Sequence, residues 1–118
     1  MMRKSVFAMV LILAIPLVAS AESLTGTWTG NDGGKAYIRQ IGGEIFWYGE
    51  DVPRSPAYSH VAYGKRSGSR VILNWADVPK GGVLQSGILV LKIYNNDNTL
   101  EAIIKTGGFA NFKWTRNP

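Results

Sequence analysis

The chain has 118 residues, with 13 Lys+Arg against 8 Asp+Glu, a formal net charge of +5 and no cysteine. This length holds one domain of ordinary size, and the lack of thiols excludes disulfides and thiolate zinc sites. Beyond Arg3-Lys4 only Lys65 and Arg66 are adjacent basic residues, which speaks against the basic stripe of a nucleic-acid binder.

The first element in chain order is a leader. Arg3 and Lys4 precede an apolar run over 6–18 broken only by Pro16, and Ala19-Ser20-Ala21 follows as a small-x-small cleavage site. The run is too short to span a bilayer as a helix, so the pattern predicts a signal peptide over 1–21. The mature protein is then expected to begin at Glu22 and to be secreted or periplasmic. Residues 22–118 form the remaining domain.

That domain shows no helical period. Short runs rich in Val, Ile, Tyr, Phe, Trp and Thr recur between Gly, Asn and Pro punctuation, predicting strands over 24–29, 35–41, 44–49, 60–65, 69–76, 84–94, 99–105 and 109–115. The fold class is all-β, an eight-stranded antiparallel up-and-down barrel, with a β-sandwich as the alternative. The clearest hairpin is A-Y-I-R-Q-I-G-G-E-I-F-W-Y-G, where Gly42-Gly43 is expected to supply two positive-φ positions. Pairing about that turn sets Ile38 opposite Trp47 and Arg39 opposite Phe46. The Trp47 face, shared with Ala36, Ile38 and Ile45, is the expected interior.

Connections fall into two classes. Tight polar turns at 42–43, 66–68 and 95–98 alternate with longer segments at 30–34, 50–59 and 77–83. In a meander alternate connections lie at one end, so the long segments and the turn at 106–108 are expected to share a rim. W-T-G-N-D at 28–32, W-Y-G-E-D at 47–51 and W-A-D at 75–77 all stand near the ends of strands that run toward it. The expected ligand-binding residues are Trp28, Trp47 and Trp75, with Asn31, Asp51, Tyr58 and Asp77 as polar neighbours, and Trp114 is expected at the far end. The mouths of small barrels are common ligand sites, but eight strands also leave an interior that side chains alone can fill. Both readings stay open on the sequence.

The start L-T-G-T-W-T at 24–29 and the end W-T-R at 114–116 resemble the lipocalin and avidin group of barrels. Those families open with G-x-W and place a basic residue of the last strand over the tryptophan. The resemblance implies structural roles for Gly26, Trp28 and Arg116, with the guanidinium over the indole. Avidins follow the tryptophan with small polar residues that hold the biotin ureido group, whereas this chain has Gly30-Asn31-Asp32-Gly33-Gly34, so biotin binding is not carried over. The segment G-T-W-T-G-N-D-G-G is also similar to a group of small secreted bacterial proteins, which implies a shared fold only.

Catalytic chemistry is not indicated. The one histidine, His60, follows Tyr58 and Ser59 at the end of the longest connection, where it is expected in solvent. Neighbours in an extended segment point apart, so Ser59 and His60 make no dyad. Asp32, Glu50, Asp51 and Asp77 are read as turn residues rather than calcium ligands, and no cofactor is implied. Most strands are too short, and carry too many charges, for a membrane-spanning barrel. Two functions remain: a binding module for a small apolar or sugar-like molecule, or a plugged barrel whose rim loops or outer face of Tyr37, Phe46 and Tyr48 meet an envelope protein. The sequence leaves the oligomeric state open.

Overall fold

The structure is a computed structural model that describes residues 23–51 and 57–118. The expected leader therefore lies outside the described residues, as does 52–56 of the longest connection.

Eight strands run in order: β1 Gly26–Gly30, β2 Lys35–Ile41, β3 Glu44–Glu50, β4 Ser59–Ser67, β5 Arg70–Asp77, β6 Ser86–Tyr94, β7 Thr99–Lys105 and β8 Lys113–Arg116. Each pairs antiparallel with its sequence neighbour, and β1 pairs β8, so the sheet closes into an up-and-down barrel and the sandwich alternative falls. Closure leaves no edge strand to template pairing with other chains. Among the described residues no helix is long and apolar enough to cross a membrane.

Alternation explains which face turns inward. In β2 and β3 the residues Ala36, Ile38, Ile45 and Trp47 are buried while Tyr37, Arg39 and Phe46 are exposed, and Ile38 stands opposite Trp47 as expected. Val71, Leu73, Leu89, Leu91 and Leu100 continue the same core around the barrel. The hairpin turn differs in one respect: Gly42 has φ 61° but Gly43 is not positive, the pattern of a type II′ turn with a single left-handed position.

One end of the barrel is sealed by hydrogen bonds. Trp28 is fully buried, its indole N–H donates to the Leu24 carbonyl at 3.0 Å, and the Arg116 guanidinium lies 4.6 Å from its ring centre. The cation over the indole is the seam that the G-x-W resemblance implies. Arg116 also donates to the backbone oxygens of Ser23, Thr25 and Asp97, tying the chain before β1 to the turn between β6 and β7. Beside it Arg66 makes a two-pronged contact with the Asp97 carboxylate, at 2.7 and 3.1 Å.

The other end carries the long connections. They interlock there: Tyr58 reaches Asp32, the Gly82 N–H donates to the Ala57 carbonyl, and the Asn31 N–H donates to the Lys113 carbonyl. The shared rim expected from strand direction is therefore present.

Candidate functional site

The rim is built from inward positions of four strands and one returning loop. Trp47 of β3, His60 of β4, Trp75 of β5 and Trp114 of β8 point into the barrel, and Phe109 from the segment between β7 and β8 folds back among them, 7% exposed. Phe109 lies 4.8 Å from His60, 4.9 Å from Trp75 and 5.9 Å from Trp114, and Trp47 meets Trp114 edge-on at 5.2 Å. Such edge-to-face pairs add about 0.5–1.5 kcal/mol each beyond the area they bury. Among the described residues these rings pack together across the mouth.

This grouping corrects the expected trio. Trp28 belongs to the sealed end, and Trp114, expected to be remote, is in the rim cluster. The reason is the extent of the last strand: β8 begins only at Lys113 and runs away from the rim, so Trp114 stands at its start rather than late in it. His60 is corrected too. It is not in solvent but 4% exposed, stacked at 5.5 Å on Tyr58.

The imidazole is held in one form. Its Nε2 accepts the Trp47 indole N–H at 3.0 Å, so the neutral ring carries its proton on Nδ1. Gly49, opposite His60 in the sheet, leaves room for this contact, because a Cβ there would stand 2.5 Å from Nε2. Burial lowers the His60 pKa from 6.5 to about 4, against a smaller opposing pull from the Asp32 charge. Above pH 6.5 both folded and unfolded chains hold it neutral and the shift has no effect on stability. As pH falls from about 6.5 to about 4 only the unfolded chain takes up this proton, so the His60 contribution to stability is expected to drop by about 3 kcal/mol and to level off below that window. His60→Gln, whose amide oxygen can accept from Trp47, should lose this component. Urea midpoints of both proteins at pH 7 and pH 4.5 check it, and equal pH dependence would contradict it.

Above the rings sits a polar relay. Tyr58 donates its hydroxyl proton to Asp32 Oδ2 at 2.6 Å, and Asp32 Oδ1 accepts the Gly34 N–H at 2.8 Å. Burial and that carboxylate raise the Tyr58 pKa far above the usual phenol value, so it remains a donor. Asn111 Nδ2 donates to the Tyr58 oxygen at 3.2 Å. Because the single phenolic proton is given to Asp32, Asn111 must present its NH2 to Tyr58, which fixes the amide orientation. Asn111 is 3% exposed, and its Oδ1 is left without a hydrogen-bond partner among the described residues. Gly30 accommodates this side chain, since a Cβ there would stand 2.5 Å from Nδ2. The two W-x-G motifs thus have one geometric meaning: the glycine two positions after an inward tryptophan faces inward and clears space for a rim side chain.

Next to the relay is a recess of about 120 Å³ lined by Tyr58, His60, Trp75, Asp77, Phe109 and Asn111, with Val83 and Gln85 at its border. Comparison with protein-family models, curated proteins and solved structures finds no match for this chain. What the rim can do therefore rests on its own geometry.

Of the residues expected at a ligand site, Trp75, Tyr58 and Asp77 line the recess, and Trp47 supports it through His60. Asn31 accepts the backbone N–H groups of Phe112 and Lys113, tying the β1–β2 connection to the start of β8, and Asp51 accepts that of Ala57 with both oxygens, within the connection between β3 and β4. Asp32 closes a turn on Gly34 while holding Tyr58. The Ser59 hydroxyl donates to the Val78 carbonyl and is not bonded to His60. Glu50 pairs with Lys80 at 2.7 Å. His60, Phe109 and Asn111 are the site residues that the sequence did not reveal.

Proposed function

We propose that this chain is a small calycin-like barrel that acts as a binding module, taking a small molecule in the rim recess between Tyr58, His60, Trp75, Asp77, Phe109 and Asn111. The observation that supports this most is the unpaired Asn111 oxygen, because a buried acceptor without a donor costs about 1–3 kcal/mol unless something pairs with it. The aromatic walls with a few polar groups have the composition of small-molecule sites, although the recess is smaller than most. The reading assigns no catalytic role, since His60 Nε2 and the Ser59 hydroxyl are both engaged elsewhere.

The test is a titration of the folded protein with small hydrogen-bond donors, followed by tryptophan fluorescence and by NMR shifts of residues 106–112. Asn111→Leu is expected to abolish binding while leaving the chain folded. It removes the lone acceptor together with the bond to Tyr58, so its own stability should change by less than about 1 kcal/mol. Binding retained by that variant would overturn the site.

A secreted or periplasmic location, with 1–21 as a cleaved leader, accompanies this reading. Protein recovered from the envelope of a bacterial host should begin at Glu22, and a retained Met1 on such protein would contradict it. Strands of four to nine residues also favour a barrel that does not span a membrane.

A second reading, contact with an envelope protein, is supported by the outer face, where Tyr37 stacks on Tyr48 at 6.4 Å and Phe46 meets Tyr63 at 5.2 Å, both in view of solvent. The rim is preferred because its buried acceptor specifies what must bind, whereas the outer face specifies no occupant.

A further inference from the structure

We infer that the molecule taken by the rim recess is a small organic cation, a primary or secondary alkylammonium ion, which donates an N–H to Asn111 Oδ1 and sets its charge against the Asp77 carboxylate and the surrounding rings. The inference rests on the proposed binding function and adds the chemical class.

Three features converge on that class. The Asn111 Oδ1 is an acceptor, so its partner must bring a proton, which excludes carboxylates, ethers and ketones. The walls carry one formal charge, that of Asp77, and neither lysine nor arginine lines the recess among the described residues. Asp77 uses Oδ2 to accept the Gln85 N–H at 2.9 Å, and its Oδ1 has no partner among the described residues, so one carboxylate oxygen is free for a ligand. The third feature is the set of ring faces.

Tyr58 and His60 lie nearly parallel, 15° apart, while Trp75 stands 80° from Phe109 and 70° from His60. Walls set at steep angles to one another present both faces and edges to the space between them, and aromatic faces attract cations most strongly when water is excluded. The imidazole contributes no opposing charge at pH 7, because burial lowers its pKa to about 4. Lys80 in the interlocked loops is paired with Glu50 at 2.7 Å. A neutral alcohol could satisfy Asn111 but would leave Asp77 and the ring faces unused. A recess of about 120 Å³ limits the ligand to a short alkyl chain.

Three probes of nearly equal size separate the possibilities: n-butylammonium, n-butanol and n-butyrate, each titrated into the full chain at pH 7 with the NMR shifts of residues 106–112 as readout. The expected result is that n-butylammonium binds at least tenfold tighter than n-butanol, that n-butyrate does not bind, and that added sodium chloride weakens the ammonium alone. Asp77→Asn, which keeps an oxygen for the Gln85 N–H, should remove that tenfold preference, leaving the ammonium and the alcohol with similar affinities. Asn111→Leu should abolish both. Equal binding of the alcohol and the ammonium would overturn the cationic class while the binding module stands. Preference for n-butyrate would overturn it as well, and no shift with any probe would remove both the class and the binding function.

Discussion

Replacing Trp28 with alanine is expected to lower the stability of the barrel by about 3–5 kcal/mol. The side chain is completely buried, its indole N–H is bonded to the Leu24 carbonyl, and its face carries the Arg116 guanidinium at 4.6 Å. Removing it leaves a large cavity at the point where the first and last strands meet, opposite Arg116 in the sheet. The surrounding core cannot collapse to fill that space without breaking closure. Arg116→Ala should cost less, because the guanidinium is partly exposed, but it should still be measurable, since its three bonds to backbone oxygens fasten the chain at both ends. Arg116→Lys should recover little: a point charge cannot reproduce a planar fork that stacks on a ring while it bonds the backbone. Denaturant midpoints with an unchanged m-value are the measurement. Near-zero shifts for both Trp28→Ala and Arg116→Ala would show that this contact does not hold the seam.

Much of this architecture was legible because period-two patterning and turn chemistry act locally. The hairpin about Gly42-Gly43 fixes its own register, and with Trp47 inward the burial of Ala36, Ile38 and Ile45 follows from parity. Strand direction then assigns each connection to an end without any knowledge of long-range contacts. The same parity could have placed His60 inside, since Ala62 is inward and His60 is two residues before it. The strand expected over 60–65 begins at His60, and only its place beside the long connection points to solvent.

The segment 109–112 could not be read this way. Continuing β8 backward from an inward Trp114 would bury Phe112 and Ala110, whereas the structure exposes both and buries Phe109 and Asn111. The break in alternation marks a loop turned into the mouth, and its cause is tertiary: Phe109 finds the gap among His60, Trp75 and Trp114, residues far away in sequence. The orphan acceptor at Asn111 is a consequence of that insertion. Site residues delivered by a returning loop have no local signature, which is why Trp47 and Trp75 could be named from the sequence, while the stopper and Trp114, whose strand starts only after that loop, could not.

The sealed end supplies the other large effect. Asn95, Asn96 and Asp97, in the turn between β6 and β7, have φ of 52°, 53° and 65°, three successive residues with a Cβ in the left-handed region. Such conformations cost about 1–2 kcal/mol per residue, less for Asn and Asp than for others, so the turn persists only because its surroundings hold it. Asp97 is the hold. Its carboxylate takes two bonds from Arg66, its carbonyl takes one from Arg116, and the Arg66 and Asp97 side chains are only 12% and 10% exposed. Asp97→Ala is expected to cost about 2–4 kcal/mol, because it takes two charge-assisted bonds from a nearly buried guanidinium, which keeps its bond to the Gly68 carbonyl, and puts a residue with poor left-handed tolerance at φ 65°. Asp97→Gly loses the same ion pair but accepts the backbone angle, so it should be less damaging than alanine by about 1 kcal/mol. Asp97→Asn keeps both the angle and an oxygen for one Arg66 bond, and should fall between glycine and the parent. That order, parent above Asn above Gly above Ala in urea midpoint, separates the charge from the strain. If Asn equals the parent, the ion pair contributes nothing and Asp97 is retained for its backbone alone; if Gly equals Ala, the left-handed angle carries no strain and the ion pair accounts for the whole loss.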